Sequence, residues 1–261
     1  MPSIHFNQKG EGFPVVLLHG FCESHQIWHD FQENLSKQYR ILVPDLPGFG
    51  NSPQPDAGFS IDDIAESIHG WLKDLGISSC IMIGHSLGGY VTLAFARRYP
   101  DLLKSLGLFH STAFPDSDEK KLIRDKTINF IQSHGVPSFL KSFVPNLFYS
   151  ENLNRSHIQQ DIKMVIKMGA STKTAVVIGY LRAMRDRPER IDIIKSFPKP
   201  ILYIIGEHDA GIPIESSKEQ AALPVNPSVH FLSNSGHMGM FEEKEATLSL
   251  VEKFIKKSLD S

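Results

Sequence analysis

The chain has 261 residues, 41% of them hydrophobic and 21% charged, with a formal net charge of −2. That balance belongs to a soluble globular protein and supplies no field to attract nucleic acid or an anionic membrane. No apolar run approaches the roughly 18 residues of a membrane span, and no basic stretch leads into an apolar segment near the N-terminus, so neither a span nor a signal peptide is expected and a cytoplasmic location is.

One large α/β domain with an insertion suits this length. The residues Ser3-Ile4-His5-Phe6 read as a first strand. Val15-Val16-Leu17-Leu18 and Arg40-Ile41-Leu42-Val43 follow as short, buried, parallel strands. Ile61, Ile64, Ile68, Leu72 and Leu75 then recur at helical spacing. Cys80-Ile81-Met82-Ile83 predicts a further strand, as do residues 105–109, 201–205 and 229–232. Leu248, Val251, Phe254 and Ile255 close the chain with a helical stripe. Strands alternating with helices predict a doubly wound, mostly parallel sheet of about seven or eight strands.

The alternation breaks between Phe114 and Arg190, where only helical stripes occur: Ile123, Thr127, Phe130 and Ile131; Ile158, Ile162, Val165 and Ile166; Val177, Leu181 and Met184. Residues 114–190 therefore read as a helical insertion over the C-terminal ends of the strands, with 1–113 and 191–261 forming the core domain. Residues 116–190 carry a charge balance of +5 against −7 for the remainder, a mild pointer to an anionic substrate or an acidic partner. Cys22 and Cys80 have no metal-ligand spacing and are expected to be small buried hydrophobes that stay reduced.

Chemistry concentrates where strands end. Gly84-His85-Ser86-Leu87-Gly88-Gly89 follows an apolar strand and precedes a helix-forming run, the context in which a serine is lifted out of a sheet on a tight turn. A serine hydroxyl needs a base to take its proton, and the base needs an anion to orient it. The loop after residues 201–205 carries Asp209, with Glu207 as the rival acid, and the loop after residues 229–232 carries His237. Backbone N–H groups of Phe21, after an early strand, and of Leu87, beside the serine, can bind an oxygen as it becomes anionic. His19, His85 and His208 have the default reading of structural histidines; His110, which ends a strand, is a candidate for the pocket.

With His19-Gly20-Phe21, the run from Asp45 to Ser52, Gly84 to Gly89, Gly206 to Pro213 and Gly236-His237 in that order, the chain resembles the α/β-hydrolase family over nearly its whole length. The resemblance implies a Ser86-His237-Asp209 triad, an oxyanion hole at Phe21 and Leu87, a helical cap over an acyl pocket, and no cofactor or metal. It implies a small-molecule acyl substrate: a carboxylic ester, lactone or thioester attacked through an acyl-enzyme, as in serine esterases. Carbon–carbon bond hydrolysis and cofactor-free perhydrolysis are alternatives on the same fold, and a non-catalytic receptor or scaffold is the alternative of another class. Two departures stand out. One strand-like stretch precedes Val15 where the family usually has two, which predicts seven strands. The turn His19 to Ser24 looks like that of epoxide hydrolases and dehalogenases, but Ser86 stands where those relatives place an aspartate nucleophile. Phe143, Phe148, Met164, Met184, Met238 and His110 are the candidate substrate-binding side chains.

Overall fold

The apolar runs of the sequence become the strands of one sheet. In the computed structural model, which describes residues 4–260, these are β1 (Phe6–Lys9), β2 (Pro14–Leu18), β3 (Arg40–Pro44), β4 (Cys80–His85), β5 (Leu103–Phe109), β6 (Ile201–Gly206) and β7 (Pro227–Leu232). Their order is β1-β3-β2-β4-β5-β6-β7. β1 is antiparallel to β3 and the other neighbouring pairs are parallel. β4 and β6 are buried at every residue, as central parallel strands are when helices flank a sheet. The first strand is displaced from its expected place. It starts at Phe6, whereas Ile4 is a buried core residue ahead of it and Ser3 lies outside the described residues. β1 is an edge strand whose residues 7–9 are exposed, so its sequence carries no apolar signal.

Between the strands run α1 (His29–Leu35), α2 (Ile61–Asp74) and α3 (Leu87–Arg98). α2 starts at a capping box in which Ser60 and Asp63 satisfy each other's backbone N–H, and it buries Ile61, Ile64, Ile68 and Leu72. Between β5 and β6 lie α4 (Asp118–Phe143), α5 (Ser156–Gly169), α6 (Thr174–Arg185) and α7 (Ile191–Ser196), and α8 (Ile214–Ala221), α9 (Gly239–Glu242) and α10 (Lys244–Asp260) complete the chain. Within α4 the helix breaks at Gly135, whose φ of 79° and ψ of 164° are open to glycine and strained for other residues. Pro137, with no N–H to donate, follows two residues later.

The stripes of α5 and α6 face inward as expected, with Ile158, Ile162, Val165, Val177, Leu181 and Met184 buried. α4 presents a different face from the one expected. Ile128 and Ile131 are buried, whereas Leu122, Ile123 and Phe130 are exposed by 61%, 60% and 39%. Apolar residues lie on both sides of this helix, so spacing alone does not choose the buried face. The segment packs against loops at the C-terminal ends of the strands: Tyr180 Oη donates to Pro47 O at 2.8 Å, and the Phe139 and Phe143 rings lie 6.3 and 6.2 Å from that of Phe21. Four of its arginines are paired: Arg124 and Arg187 with Asp116, Arg185 with Asp125 and Asp186, and Arg190 with Asp62. Among the described residues no helix is long and apolar enough to cross a membrane.

Candidate active site

Adjacent parallel strands in register end together, so the residues that follow them gather at one end of the sheet. His85 pairs with Phe109 and Gly206 with Leu232, and the loops beyond these ends carry Ser86, His110, Asp209 and His237.

Ser86 has φ 50° and ψ −114°, a left-handed conformation that costs a non-glycine residue about 1–3 kcal/mol and has to be held by its surroundings. Four hydrogen bonds hold it. Its N–H donates to Phe109 O at 3.0 Å, and its carbonyl accepts from Gly89 N–H at 3.0 Å, Tyr90 N–H at 3.4 Å and Ser111 Oγ at 2.8 Å. The turn needs its glycines for space: a Cβ on Gly84 would lie 2.2 Å from the Gly88 backbone, and one on Gly88 would lie 2.6 Å from Leu18 O. Ser86 is the one residue between Cys80 and Ala96 that is not buried. The turn thus lifts a single hydroxyl out of an otherwise closed run.

His237 and Asp209 form a pair, with Nδ1 and Oδ2 2.7 Å apart. The other carboxylate oxygen accepts from Gly211 N–H at 2.7 Å and Ile212 N–H at 3.1 Å. Burial alone would raise the Asp209 carboxyl. The His237 ring, His110 and the Gly211 amide outweigh it and hold the group below the ordinary carboxylate range. With Nδ1–H given to this anion, Nε2 is the nitrogen left to accept a proton. Ser86 Oγ makes no hydrogen bond to His237 among the described residues; such contacts commonly tighten only in the complex with substrate. Glu207, the rival acid, is exposed, and only its backbone N–H is engaged, at 3.0 Å from Leu232 O.

The amides of Phe21 and Leu87 donate to no acceptor among the described residues. The Phe21 turn is braced by His19, whose Nδ1 donates to Gly20 O at 2.8 Å while Nε2 accepts from Leu46 N–H at 2.9 Å. Glu23, which carries no motif, accepts from Gly20 N–H at 2.6 Å and pairs with His85 Nδ1 at 3.1 Å. His85 Nε2 donates to His237 O at 3.0 Å. Both ring nitrogens of His85 face acceptors, an arrangement that favours the protonated ring. Burial opposes that charge, but Glu23 and the His237 carbonyl raise the imidazole above its ordinary value, while Glu23 is held below its own. A buried pair therefore connects the Phe21 turn, the residue before Ser86 and the backbone of His237. Removing one partner strands the other charge, so Glu23→Ala should cost roughly 3–5 kcal/mol and lower Tm on the order of 10 °C. A calorimetric scan showing a loss below two degrees would contradict this.

The candidate substrate-binding residues divide. His110, with φ 46°, is fully enclosed, and backbone amides of Gly206 and Gly239 approach its two ring nitrogens at 3.1 Å each. Burial outweighs the nearby Asp209 and holds its pKa well below the ordinary value, and a neutral ring accepts from one of these two amides. The ring lies beside the pair, with Nδ1 3.9 Å from Asp209 Oδ2 and its centroid 5.9 Å from that of His237. Met238, Met184 and Phe148 are buried, at 0%, 3% and 4% exposure. Phe143 and Met164 are half-buried. Two hollows, of about 10 Å³ beside Tyr90, Thr112 and Arg187 and about 210 Å³ beside Gly48, Ser52 and Lys173, include neither Ser86 nor His237 in their linings.

His5, His25 and Asp45 bring metal-type ligand atoms together away from this site. Asp45 there accepts from His5 Nδ1, His25 Nδ1 and His25 N–H at 2.8 Å and from Asn51 N–H at 3.0 Å. Those four donors saturate the carboxylate, which anchors the run from Asp45 to Ser52. Cys22 and Cys80 are buried free thiols, and burial pushes the Cys80 pKa up to about 12.

Comparison with known proteins places the arrangement in context. A family model described as the alpha/beta hydrolase fold matches residues 14–244. A thermophilic esterase from Thermogutta terrifontis superposes with a TM-score of 0.92 at 28% identity, over 98% of this chain and 93% of its own. Pimeloyl-[acyl-carrier protein] methyl ester esterase of Aeromonas hydrophila is 26% identical over 97% of this chain and 99% of its own. 2-Hydroxymuconate semialdehyde hydrolase of Pseudomonas sp. (strain CF600) is also 26% identical, over 96% and 89%.

Proposed function

This chain belongs to the alpha/beta hydrolase fold family, and from that membership we propose that it is a serine hydrolase of carboxylic esters, lactones or thioesters, working through an acyl-enzyme on Ser86. The observation that carries this reading is the His237–Asp209 contact of 2.7 Å at the strand ends that also present Ser86. His237 Nε2 takes the Ser86 Oγ proton as oxygen attacks the carbonyl carbon. The unpaired amides of Phe21 and Leu87 receive the resulting oxyanion. Collapse expels the alcohol, or thiol, with the proton held by His237 and leaves an acyl group on Ser86. Water, deprotonated by the same nitrogen, then releases the acid. Asp209 keeps Nδ1 protonated and stabilises the imidazolium formed at each step. Residues 114–190 act as a cap over this chemistry, with Phe139 and Phe143 beside Phe21.

Likeness to the thermophilic esterase and the methyl ester esterase supports ester hydrolysis. Likeness to 2-hydroxymuconate semialdehyde hydrolase favours one second reading, carbon–carbon bond hydrolysis of a diketone-like acid. The test is a panel of chromogenic esters, thioesters and lactones of graded acyl length, alongside diketone acids, given to the purified protein. Turnover of esters is expected. Turnover confined to diketones would favour the second reading, and none on any substrate would favour a binding protein.

The pH profile follows from the protonation states. The base works when neutral, so kcat/KM should rise with pH along a single limb. Asp209, held below the ordinary carboxylate range, stays charged throughout and adds no second limb. Chelator should leave the profile unchanged, because nucleophile, base and oxyanion donors are all protein groups. A flat profile, or abolition by chelator, would contradict the assignment of His237.

A further inference from the structure

Among the buried carboxylates outside the proposed triad (Glu23, Asp45, Asp116 and Glu242), Glu242 is the one that joins the histidine loop to the helical insertion. Glu242, at the end of α9, is 6% exposed and accepts four N–H groups. Its Oε1 takes Tyr149 N–H at 2.7 Å and Asn152 Nδ2 at 2.9 Å, both from the segment between α4 and α5. Its Oε2 takes Gly236 N–H at 2.9 Å and Met238 N–H at 3.3 Å, the residues on either side of His237. The N–H of His237 donates to Leu147 O at 2.7 Å, again in that segment. Three consecutive amides of the histidine loop are therefore held either by the helical insertion directly or by a carboxylate that the insertion shares. The two backbones also meet closely, since a Cβ on Gly236 would lie 2.7 Å from Leu147 O and 2.8 Å from Tyr149 N.

We propose that Glu242 is a positioning residue that couples the helical insertion to His237, so that the base is in register with Ser86 when Tyr149 and Asn152 are docked. This rests on the reading of Ser86 and His237 as nucleophile and base. The physical reason is the geometry of the carboxylate. Each oxygen serves one side of the joint, so losing the donors of the insertion leaves Oε1 buried and unpaired, at a cost of the kind that drives a side chain to move. Moving it pulls Oε2 from the amides that bracket His237. A displacement of about 1 Å of a reacting group can cost on the order of 10²-fold in rate. Burial acts against the charge that does this work, raising the Glu242 carboxyl above its ordinary value despite its four donors.

Glu242→Gln tests the coupling, because the shape is kept while one oxygen becomes an NH2 group that two backbone or amide donors then face. The proposal predicts a fall in kcat of roughly 10- to 100-fold with KM within about threefold of wild type. It also predicts that amide hydrogen exchange accelerates together at residues 147–149 and 236–238 in the folded protein. Asn152→Ala, which removes the insertion's side-chain donor to Oε1 together with the 2.7 Å bond from Nδ2 to Asn234 O in the histidine loop, should lower kcat in the same direction and accelerate exchange at 236–238. That variant carries the test should Glu242→Gln fail to fold. A Glu242→Gln protein with lowered Tm but wild-type kcat, or with faster exchange on one side of the joint alone, would overturn the coupling and leave Glu242 a stabilising contact. Ser86→Ala separates the two ideas: if it abolishes turnover while folded Glu242→Gln matches wild type, the coupling fails and the serine hydrolase reading stands.

Discussion

Ser86→Ala should fold as the wild type does and lose roughly 10⁴–10⁶-fold in esterase rate. The structure gives the reason for both halves of that result. The turn at Ser86 is held through its backbone N–H and carbonyl, by Phe109, Gly89 and Ser111, and its Oγ makes no hydrogen bond among the described residues. Alanine meets the same backbone strain as serine at φ 50°, so deleting the hydroxyl removes no contact that the fold uses. It does remove the atom that accepts the acyl group. Residual rate would come from the oxyanion donors and from binding. Steady-state hydrolysis of a chromogenic ester, with circular dichroism to verify the fold, measures it. Activity near the wild-type level would remove Ser86 from the mechanism.

Asp209→Asn should cost about 10⁴-fold, and Glu207→Gln less than about threefold. Asparagine keeps the size of the Asp209 side chain but puts an amide where Oδ2 meets His237 Nδ1 at 2.7 Å. The imidazole then lacks the anion that fixes its tautomer and stabilises its cation. The buried setting of Asp209, with two backbone amides on Oδ1, gives the charge a defined orientation. Glu207 points into solvent, where a charge is screened and mobile. Parallel measurement of kcat/KM in the two variants tests the ranking, and the reverse order would transfer the role of acid to Glu207.

Much of this architecture is legible in the sequence because buried parallel strands are continuous apolar runs and each proposed catalytic residue closely follows one. Val15 to Leu18 and Cys80 to Ile83 read as strands for that reason, and the sequence alone puts Ser86 on a turn between strand and helix. β1 could not be placed so well: it is an edge strand with polar, exposed residues, and its pairing with β3 is a tertiary event. The buried face of α4 was hidden for a related reason, since Leu122, Ile123 and Phe130 are as apolar as Ile128 and Ile131. At the site, His110 closes β5, and only the tertiary fold shows its ring enclosed beside the amides of Gly206 and Gly239. Glu23 and Glu242 carry no motif. Glu242 opens the charged run Glu242-Glu243-Lys244-Glu245 and Glu23 sits in a mixed turn, and the partners that define them, His85 and Tyr149, lie far away in the chain.

The claim beneath the whole account is that Ser86 is the nucleophile, and covalent labelling tests it most directly. The purified protein is incubated with a serine-directed fluorophosphonate, digested, and mapped by tandem mass spectrometry while ester hydrolysis is followed in parallel. The account predicts one adduct, on Ser86, formed in step with the loss of activity and absent from Ser86→Ala. Inactivation with the adduct on another residue, or full activity retained with Ser86 labelled, would contradict it.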